Sequence, residues 1–423
     1  MENSYLRVGT TYYKIVYRPT ISGEKSRVLL RWDKSTISYD EGKDYLSTIP
    51  KYEGFCCIPD HINYKQVING FYNEYSPISH SISSAEYSAD EIEKKIPNSL
   101  HFIKHIFGEQ YELGLDYIKL LYEKPTQMLP ILCLVSEERS TGKSTFIKWL
   151  KKIFEDNLTY VKGDSFGSQF NADWANKLLI AVDEVFFAKK EITERLKFLS
   201  TTNKDKLEAK GKDRIEVDFF AKFILCSNNE TDFIKIDNNE IRFWVRKIPP
   251  IKTENTEFLK SLQSEVPLFL QYLFNRKYHT SKSSRMWFKP TLLRTNALKR
   301  LMFQNNNELE RKMIESFYEL FESVPEKKSI EFVPQDILNT IQRLFNDRDW
   351  TRNDVRKILK NNWGLQPQSQ TLTYSKVYLN IDGDYCVTNN TGRYYSISKN
   401  TISQKFDEFD EFDERHIQSA DNQ

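Results

Sequence analysis

Ser140-Thr141-Gly142-Lys143-Ser144-Thr145 stands between an apolar run at 129–135 and an amphipathic one at 146–154. The first run suits a buried strand and the second a helix, so the six residues read as a tight strand-to-helix loop. Such a loop turns the free N–H groups of a helix start toward an anion. Lys143 adds a mobile positive charge, and the Ser144 hydroxyl can ligate a divalent metal such as Mg²⁺. Thr141, Gly142, Lys143, Ser144 and Thr145 are therefore the candidate phosphate-binding residues. The usual pattern opens with a glycine five residues before Gly142, and here Glu137 holds that position. The short core is weak evidence alone, so the neighbouring motifs decide.

About forty residues after Lys143 comes Leu178-Leu179-Ile180-Ala181-Val182-Asp183-Glu184. An apolar strand ending in two acids puts both carboxylates at its C-terminal edge, beside a phosphate loop in an α/β sheet. Asp183 would hold Mg²⁺ through water and Glu184 would act as general base on the attacking water. A third element, Phe223-Ile224-Leu225-Cys226-Ser227-Asn228-Asn229, ends a strand in asparagine, a residue disfavoured within strands. The Asn228 amide can position a water against a terminal phosphate, although asparagine is also an ordinary turn former. The fourth, Ile241-Arg242-Phe243-Trp244-Val245-Arg246, alternates arginine with apolar residues and suits a strand whose polar face meets a subunit boundary. Arg242 could reach a neighbour's γ-phosphate as an arginine finger, or form a plain surface salt bridge. Residues 206–218 carry a Lys210-Gly211-Lys212 tip, followed by Arg214, between two strand-like arms, and suggest a basic β-hairpin. Its tip could grip a nucleic-acid backbone without reading sequence, or be a solvated turn.

A chain of 423 residues can hold two or three domains. Its 61 Lys+Arg against 59 Asp+Glu leave a net charge of +2, so any nucleic-acid contact must come from local clusters. The five cysteines show no CxxC spacing, which argues against a zinc site or a disulfide framework and fits a reducing cytosol. No segment approaches eighteen apolar residues, so no membrane span is expected. His101 and His105 have a metal-compatible i,i+4 spacing, but Phe102 stands where a zinc protease has glutamate, and both read as structural.

The organisation expected is α/β. Residues 1–90 form a small mixed or β-rich domain with 79–88 as a linker, and 91–128 a helical lead-in with one helix over 102–122. The core is 129–250, with strands at 129–135, 178–182 and 223–227, followed by a helical extension at 251–304 with helices at 256–276 and 292–303. Residues 305–400 read as a winged-helix-like domain: helices at 309–324, 333–345 and 352–363, then strands at 377–381 and 394–397 paired as a hairpin. Arg352, Arg356, Lys357 and Lys360 suit either a phosphate-facing helix or a solvated one. The tail, 401–423, repeats Phe-Asp-Glu and reads as a solubilising acidic segment or a partner-binding peptide built on Phe406, Phe409 and Phe412.

In the order TGKST, strand-DE, basic hairpin, strand-SNN and RFW, the chain resembles the superfamily 3 helicases, AAA+ ring ATPases of viruses, phages and plasmids. It is most similar to the helicase part of phage primase-helicases, over about residues 100–290. The resemblance implies an AAA+ P-loop ATPase core using ATP and Mg²⁺. Its nucleotide loop would be Gly142, Lys143 and Ser144, its Mg²⁺ and water acids Asp183 and Glu184, its sensor Asn228 and its trans finger Arg242. Lys210, Lys212 and Arg214 would contact DNA. Ile241 stands where many relatives have a first arginine, so the finger rests on Arg242, with Arg246 as a substitute. The activity implied is ATP-dependent unwinding in phage or plasmid replication, on single-stranded or forked DNA in the cytoplasm of a bacterial host. The chain would form a homo-oligomeric ring, expected as a hexamer, moving 3′ to 5′. No paired acids in 1–95 suggest priming, so a separate primase or polymerase would act in trans. Two alternatives remain: an AAA+ ATPase that loads or remodels proteins on DNA, and a degenerate nucleotide-binding module.

Overall fold

The computed structural model describes residues 4–19, 25–80, 82, 87–168, 170–187, 190–208, 213–237, 240–251, 253, 255–380 and 383–405. The chain divides into two units, Met1–Lys299 and Arg300–Gln423. Lys210, Lys212 and the Phe406, Phe409 and Phe412 repeat lie outside the described residues.

The first unit opens with β1 (Tyr5–Val8), β2 (Thr11–Pro19), β3 (Lys25–Trp32), the short helices α1 (Lys34–Glu41) and α2 (Tyr45–Thr48), and β4 (Lys51–Tyr52). Their sheet runs β3-β2-β1-β4, and β5 (Phe55–Cys56), β6 (Val67–Ile68) and β7 (Phe71–Asn73) make a second sheet in the order β5-β7-β6. The chain is strapped to the core where the sequence suggests a linker. Asn157 accepts from the Ser76 N–H at 3.2 Å and donates to its carbonyl at 2.8 Å. Ser79 bonds Glu155, and a His80 ring nitrogen lies 2.8 Å from the Lys152 carbonyl.

Helices α3 (Ala89–Lys95), α4 (Pro97–Phe107) and α5 (Tyr111–Glu123) follow. The single helix expected at 102–122 is broken at Gly108, which adopts φ +51° and where a Cβ would lie 2.9 Å from Arg246 Nη2. The positive φ is what favours glycine here, and a Cβ would also make the tip of the Arg246 side chain shift.

The core alternates β8 (Ile131–Val135), α6 (Lys143–Phe154), β9 (Leu158–Tyr160), β10 (Leu179–Val182), α7 (Lys190–Leu199), the hairpin β11 (Lys204–Leu207) and β12 (Ile215–Asp218), β13 (Lys222–Ser227) and β14 (Phe243–Lys247). Five of these strands form an all-parallel sheet in the order β14-β8-β13-β10-β9. Every residue of β8, β10 and β13 is buried, as expected for strands covered on both faces. Helix α8 (Phe258–Asn275) packs on α6 and supplies Glu265, whose carboxylate accepts the Asn98 and Ser99 N–H groups in the first turn of α4.

The second unit is built on α9 (Asn296–Ser323), which begins just before it. This is one helix where two were expected, because the polar stretch 304–308 holds no glycine or proline to end it. There follow β15 (Ser329–Phe332), α10 (Pro334–Phe345), α11 (Arg352–Asn361), β16 (Leu372–Leu379), β17 (Tyr385–Gly392) and β18 (Tyr395–Ser398), with sheet order β17-β16-β15-β18. The hairpin is therefore β16–β17, not the expected pairing of 377–381 with 394–397. β17 is mostly exposed Thr and Asn, which hides it from an apolar pattern, and β18 pairs with β15. Phe317, Phe332, Ile337, Val355, Leu359, Val377 and Ile397 form the core of this unit. Arg352, Arg356, Lys357 and Lys360 are all exposed on α11.

Candidate nucleotide site

The loop from Ser136 to Gly142 joins β8 to α6 at the C-terminal edge of the parallel sheet. Gly142 is the N-cap of α6 at φ +89°, with no side-chain cap, so the first-turn N–H groups remain available to an anion. A Cβ at Gly142 would meet Phe102 at 3.1 Å and Ile251 at 3.3 Å. The loop is pinned from outside: the Ile251 N–H donates to the Ser140 carbonyl at 3.0 Å, and a His105 ring nitrogen lies 3.0 Å from the Thr141 carbonyl. His105 thus serves the loop, and among the described residues no cluster of three or more His, Cys, Asp or Glu is arranged to hold a metal.

Lys143 is 7% exposed and lies back across its own loop, its ammonium 3.1 Å from the Ser136 carbonyl and 3.2 Å from Thr141 Oγ1. Burial pushes its pKa below the ordinary lysine value, and the fields of Cys226, Asp183 and Glu230 pull it partly back. A desolvated cation held by neutral oxygens gains strongly from an incoming anion. Ser144 and Asp183 are exposed hard-oxygen donors on the same edge. One carboxylate and one hydroxyl fit Mg²⁺, which keeps several waters and takes its other ligands from phosphate.

The acids and the asparagine reach this edge through register. β13 lies between β8 and β10, Ser227 is level with Val135, and Leu225 is level with Val182. Asn228 therefore emerges between the loop and Asp183-Glu184. Of the two asparagines, Asn229 makes the turn, its Oδ1 accepting from Thr231 N at 2.9 Å and Asp232 N at 2.7 Å, while Asn228 is exposed. Glu184 sits at φ +58°, and Val185 beyond it is locked by its N–H to Cys226 O and by Ser227 Oγ to its carbonyl, both at 2.8 Å. A left-handed glutamate costs about 1–3 kcal/mol and turns sharply out of the strand.

Arg242 precedes β14, at the opposite edge from its own loop. β14 is parallel to β8, with Phe243 level with Ile131 and Lys247 level with Val135, so the two sites stand a strand's length apart, roughly 15 Å at 3.3 Å per residue. Its guanidinium pairs with Glu240, and Nε is buried with no hydrogen-bond partner among the described residues. Arg246, the substitute, does not face outward: its side chain is 8% exposed and bonded to Glu109 and Gln110. The expected polar strand face is thus internal at Arg246, because α4 and α5 are joined by a turn that brings two acceptors over it.

The hairpin arms are paired as the sequence suggests, Lys206 opposite Glu216 and Leu207 opposite Ile215. They are charge-balanced rather than basic, with Lys204 and Glu216 2.6 Å apart. Arg214, at the foot of the tip, pairs with Glu208 at 2.6 Å. The buried Asn171 holds the first arm, accepting from Glu208 N at 2.8 Å and donating to Lys206 O at 2.9 Å. Sequence reading missed Asn171, and also Glu230, whose Oε1 accepts the Glu137 N–H at 3.2 Å. The only local hint of the latter was the acid just after Ser-Asn-Asn.

A family model described as a family of unknown function, DUF5906, matches residues 134–243, which span the loop, the acids, the hairpin and Asn228. Among solved structures, the apo structure of the NrS-1 C terminal region (305–718) superposes with a TM-score of 0.52 at 16% identity, covering 88% of this chain and 94% of that one. The A form apo structure of the NrS-1 C terminal region gives 0.52 at 15% identity, covering 93% and 96%. The fold is shared with that region. Comparison with curated proteins found no match.

Proposed function

We propose that the chain is an ATP-hydrolysing helicase of the superfamily 3, AAA+ kind, translocating on single-stranded DNA as a ring, expected as a hexamer. The observation that carries this reading is the shared sheet edge of the Lys143 loop, Asp183-Glu184 and Asn228, with Arg242 at the far edge. Groups for binding and for water activation stand together, and the charge that completes them comes from a neighbour.

In this reading the first-turn N–H groups of α6 and Lys143 take the β- and γ-phosphates, and Thr141 and Thr145 flank them. Ser144 and Asp183 hold Mg²⁺, which when bound neutralises charge on the phosphate oxygens. Glu184 accepts a proton from the attacking water while the Asn228 amide orients it. Arg242 of the adjacent subunit stabilises charge at the transferring phosphoryl group. Lys210, Lys212 and Arg214 grip backbone phosphates, which demands no sequence preference. A winged-helix-like second unit and a primase supplied in trans belong to the same reading.

The test is ATP hydrolysis with and without single-stranded DNA, together with forked-duplex unwinding, using Lys143→Ala as control. DNA-stimulated hydrolysis and unwinding, both lost in the variant, are expected. Hydrolysis without strand separation would favour a remodelling ATPase, and no turnover would favour a degenerate module. Mass photometry with single-stranded DNA and a non-hydrolysable ATP analogue checks the ring: a chain that stays monomeric removes the trans finger.

A further inference from the structure

Glu137 stands where phosphate loops of this kind open with glycine, and the backbone explains why no glycine is needed. The positive φ values of the loop fall at Ser140 (+54°) and Gly142 (+89°), not at 137. A loop without its opening glycine still needs its first turn fixed. Here the fixing group comes from outside the loop, in the connection that follows β13.

Glu230 is buried, its side chain 6% exposed. Oε1 accepts the Glu137 N–H at 3.2 Å, and Oε2 pairs with Lys247 Nζ at 3.1 Å. Lys247 ends β14, and Ser227, at the end of β13, offers its carbonyl to the Ser136 N–H at 3.2 Å. One carboxylate therefore ties together the ends of three adjacent strands, β14, β8 and β13. Asn228 lies two residues before it on the same connection, so whatever fixes Glu230 also fixes the distance from Asn228 to the loop. Lys247 neutralises the acid next to an anion site, where an unpaired carboxylate would repel phosphate.

We propose that Glu230 is a positioning residue of the nucleotide site: an external staple that holds the start of the phosphate loop against the Asn228 connection, with Lys247 as its counter-charge. This role rests on the functional reading above. It assigns to Glu230 the work done elsewhere by loop glycines, and it makes the acceptor oxygen, more than the charge, the essential feature.

The experiment titrates the full chain with a fluorescent ADP analogue and measures steady-state hydrolysis on single-stranded DNA, for wild type, Glu230→Ala, Glu230→Gln and Lys247→Gln. Glu230→Ala leaves the Glu137 N–H without an acceptor and should raise Kd and KM at least tenfold, and it should lower kcat as well, because the Asn228 connection is released with the loop. Glu230→Gln keeps an acceptor oxygen and should restore most of the affinity, a rescue that a general folding defect would not give. Lys247→Gln should weaken binding less than Glu230→Ala. Where Glu230→Ala fails to fold, Glu230→Asp, one methylene short of the Glu137 N–H, replaces it and should also bind weakly. Alanine or aspartate variants that bind as tightly as wild type overturn the staple, as does a glutamine variant no better than alanine. A wild-type chain that binds no nucleotide overturns the functional reading, and the staple's role falls with it.

Discussion

Arg242 Nη1 lies 3.1 and 3.2 Å from the two carboxylate oxygens of Glu240, and Lys197 shares that carboxylate at 3.1 Å. Glu240 is buried, its side chain 3% exposed, whereas Arg242 is 28% exposed. The arrangement holds the guanidinium in a fixed pose at the sheet edge far from its own phosphate loop, which suits a group offered to a neighbour. Preorganisation matters here because a fixed cation costs no reordering when charge develops.

Arg242→Ala should therefore leave nucleotide binding intact and lower hydrolysis by about 10³-fold, the scale typical of arginine fingers. On the proposed reading, in which the finger acts in trans, mixing Arg242→Ala subunits with Glu184→Gln subunits should recover measurable hydrolysis. In such rings some interfaces combine an intact Glu184 with an intact Arg242. Two inactive variants that stay inactive at every mixing ratio would place the arginine's role within one subunit.

Glu184 holds a left-handed backbone at φ +58°, a conformation that glycine adopts freely. Glu184→Gly should raise stability by roughly 1 kcal/mol, because glycine relieves the strained turn, while abolishing turnover, because it removes the proposed general base. Glu184→Gln keeps the strain and should lower kcat by about 10²–10⁴-fold with nucleotide affinity retained. Thermal unfolding and single-turnover hydrolysis separate the two effects.

These expectations mark where the sequence was legible. Strands β8, β10 and most of β13 stood out because their runs are continuously apolar, whereas β9 is three residues long and half exposed and did not. Thr-Gly-Lys-Ser-Thr was legible as a strand-to-helix loop because the runs on both sides mark it. Glu230, Asn171 and Asp116 were not legible. Each is a polar residue whose meaning lies in a partner far along the chain, and nothing within a few positions announces it. Arg246 misled because alternation with apolar residues says which face it shares but not what covers that face. β17 was invisible because an exposed hairpin arm has no need of an apolar pattern. The Gly108 break was readable in principle, since glycine commonly ends helices, but the nearby Arg246 tip was not.

Lys222 offers a prediction in pH. It begins β13 fully buried, its ammonium donating to the Phe220 carbonyl at 2.6 Å and to that of Pro125, and burial lowers its pKa to about 7. The unfolded chain keeps the lysine protonated up to about 10.4. Between these values the unfolded state binds more protons, so stability contributed at this site rises with pH from about 7 upward and is lowest below 7. Lys222→Met removes the titration. Thermal unfolding from pH 6 to 8.5 should show wild type gaining on the variant by several degrees. Parallel curves would mean the lysine titrates normally.

Asp116 is a buried polar anchor outside the site. It is fully buried on α5 and accepts four hydrogen bonds: Arg276 Nη1 at 2.6 Å, His279 N at 3.1 Å, and Thr280 N and Oγ1, both at 2.7 Å. These donors follow the end of α8, so the carboxylate fixes how the segment after that helix returns beneath α5. Removing the carboxylate takes the acceptor from the His279 and Thr280 N–H groups and leaves Arg276 with Glu112 alone, at a cost of about 3–5 kcal/mol. Asp116→Ala should lower the melting temperature of the first unit by roughly 5–8 °C, since a unit of this size shifts by only about 1.6 °C per kcal/mol. Asp116→Asn should fall between, since its amide keeps one acceptor oxygen but turns an N–H toward donors. Arg276→Met combined with Asp116→Ala should cost less than the sum of the single changes, because each single change already breaks the bond that the pair shares, while Glu112 keeps Arg276 paired at 2.7 Å when the aspartate is gone. Differential scanning calorimetry of the four chains measures the coupling, and strict additivity would show that the arginine and the aspartate act independently.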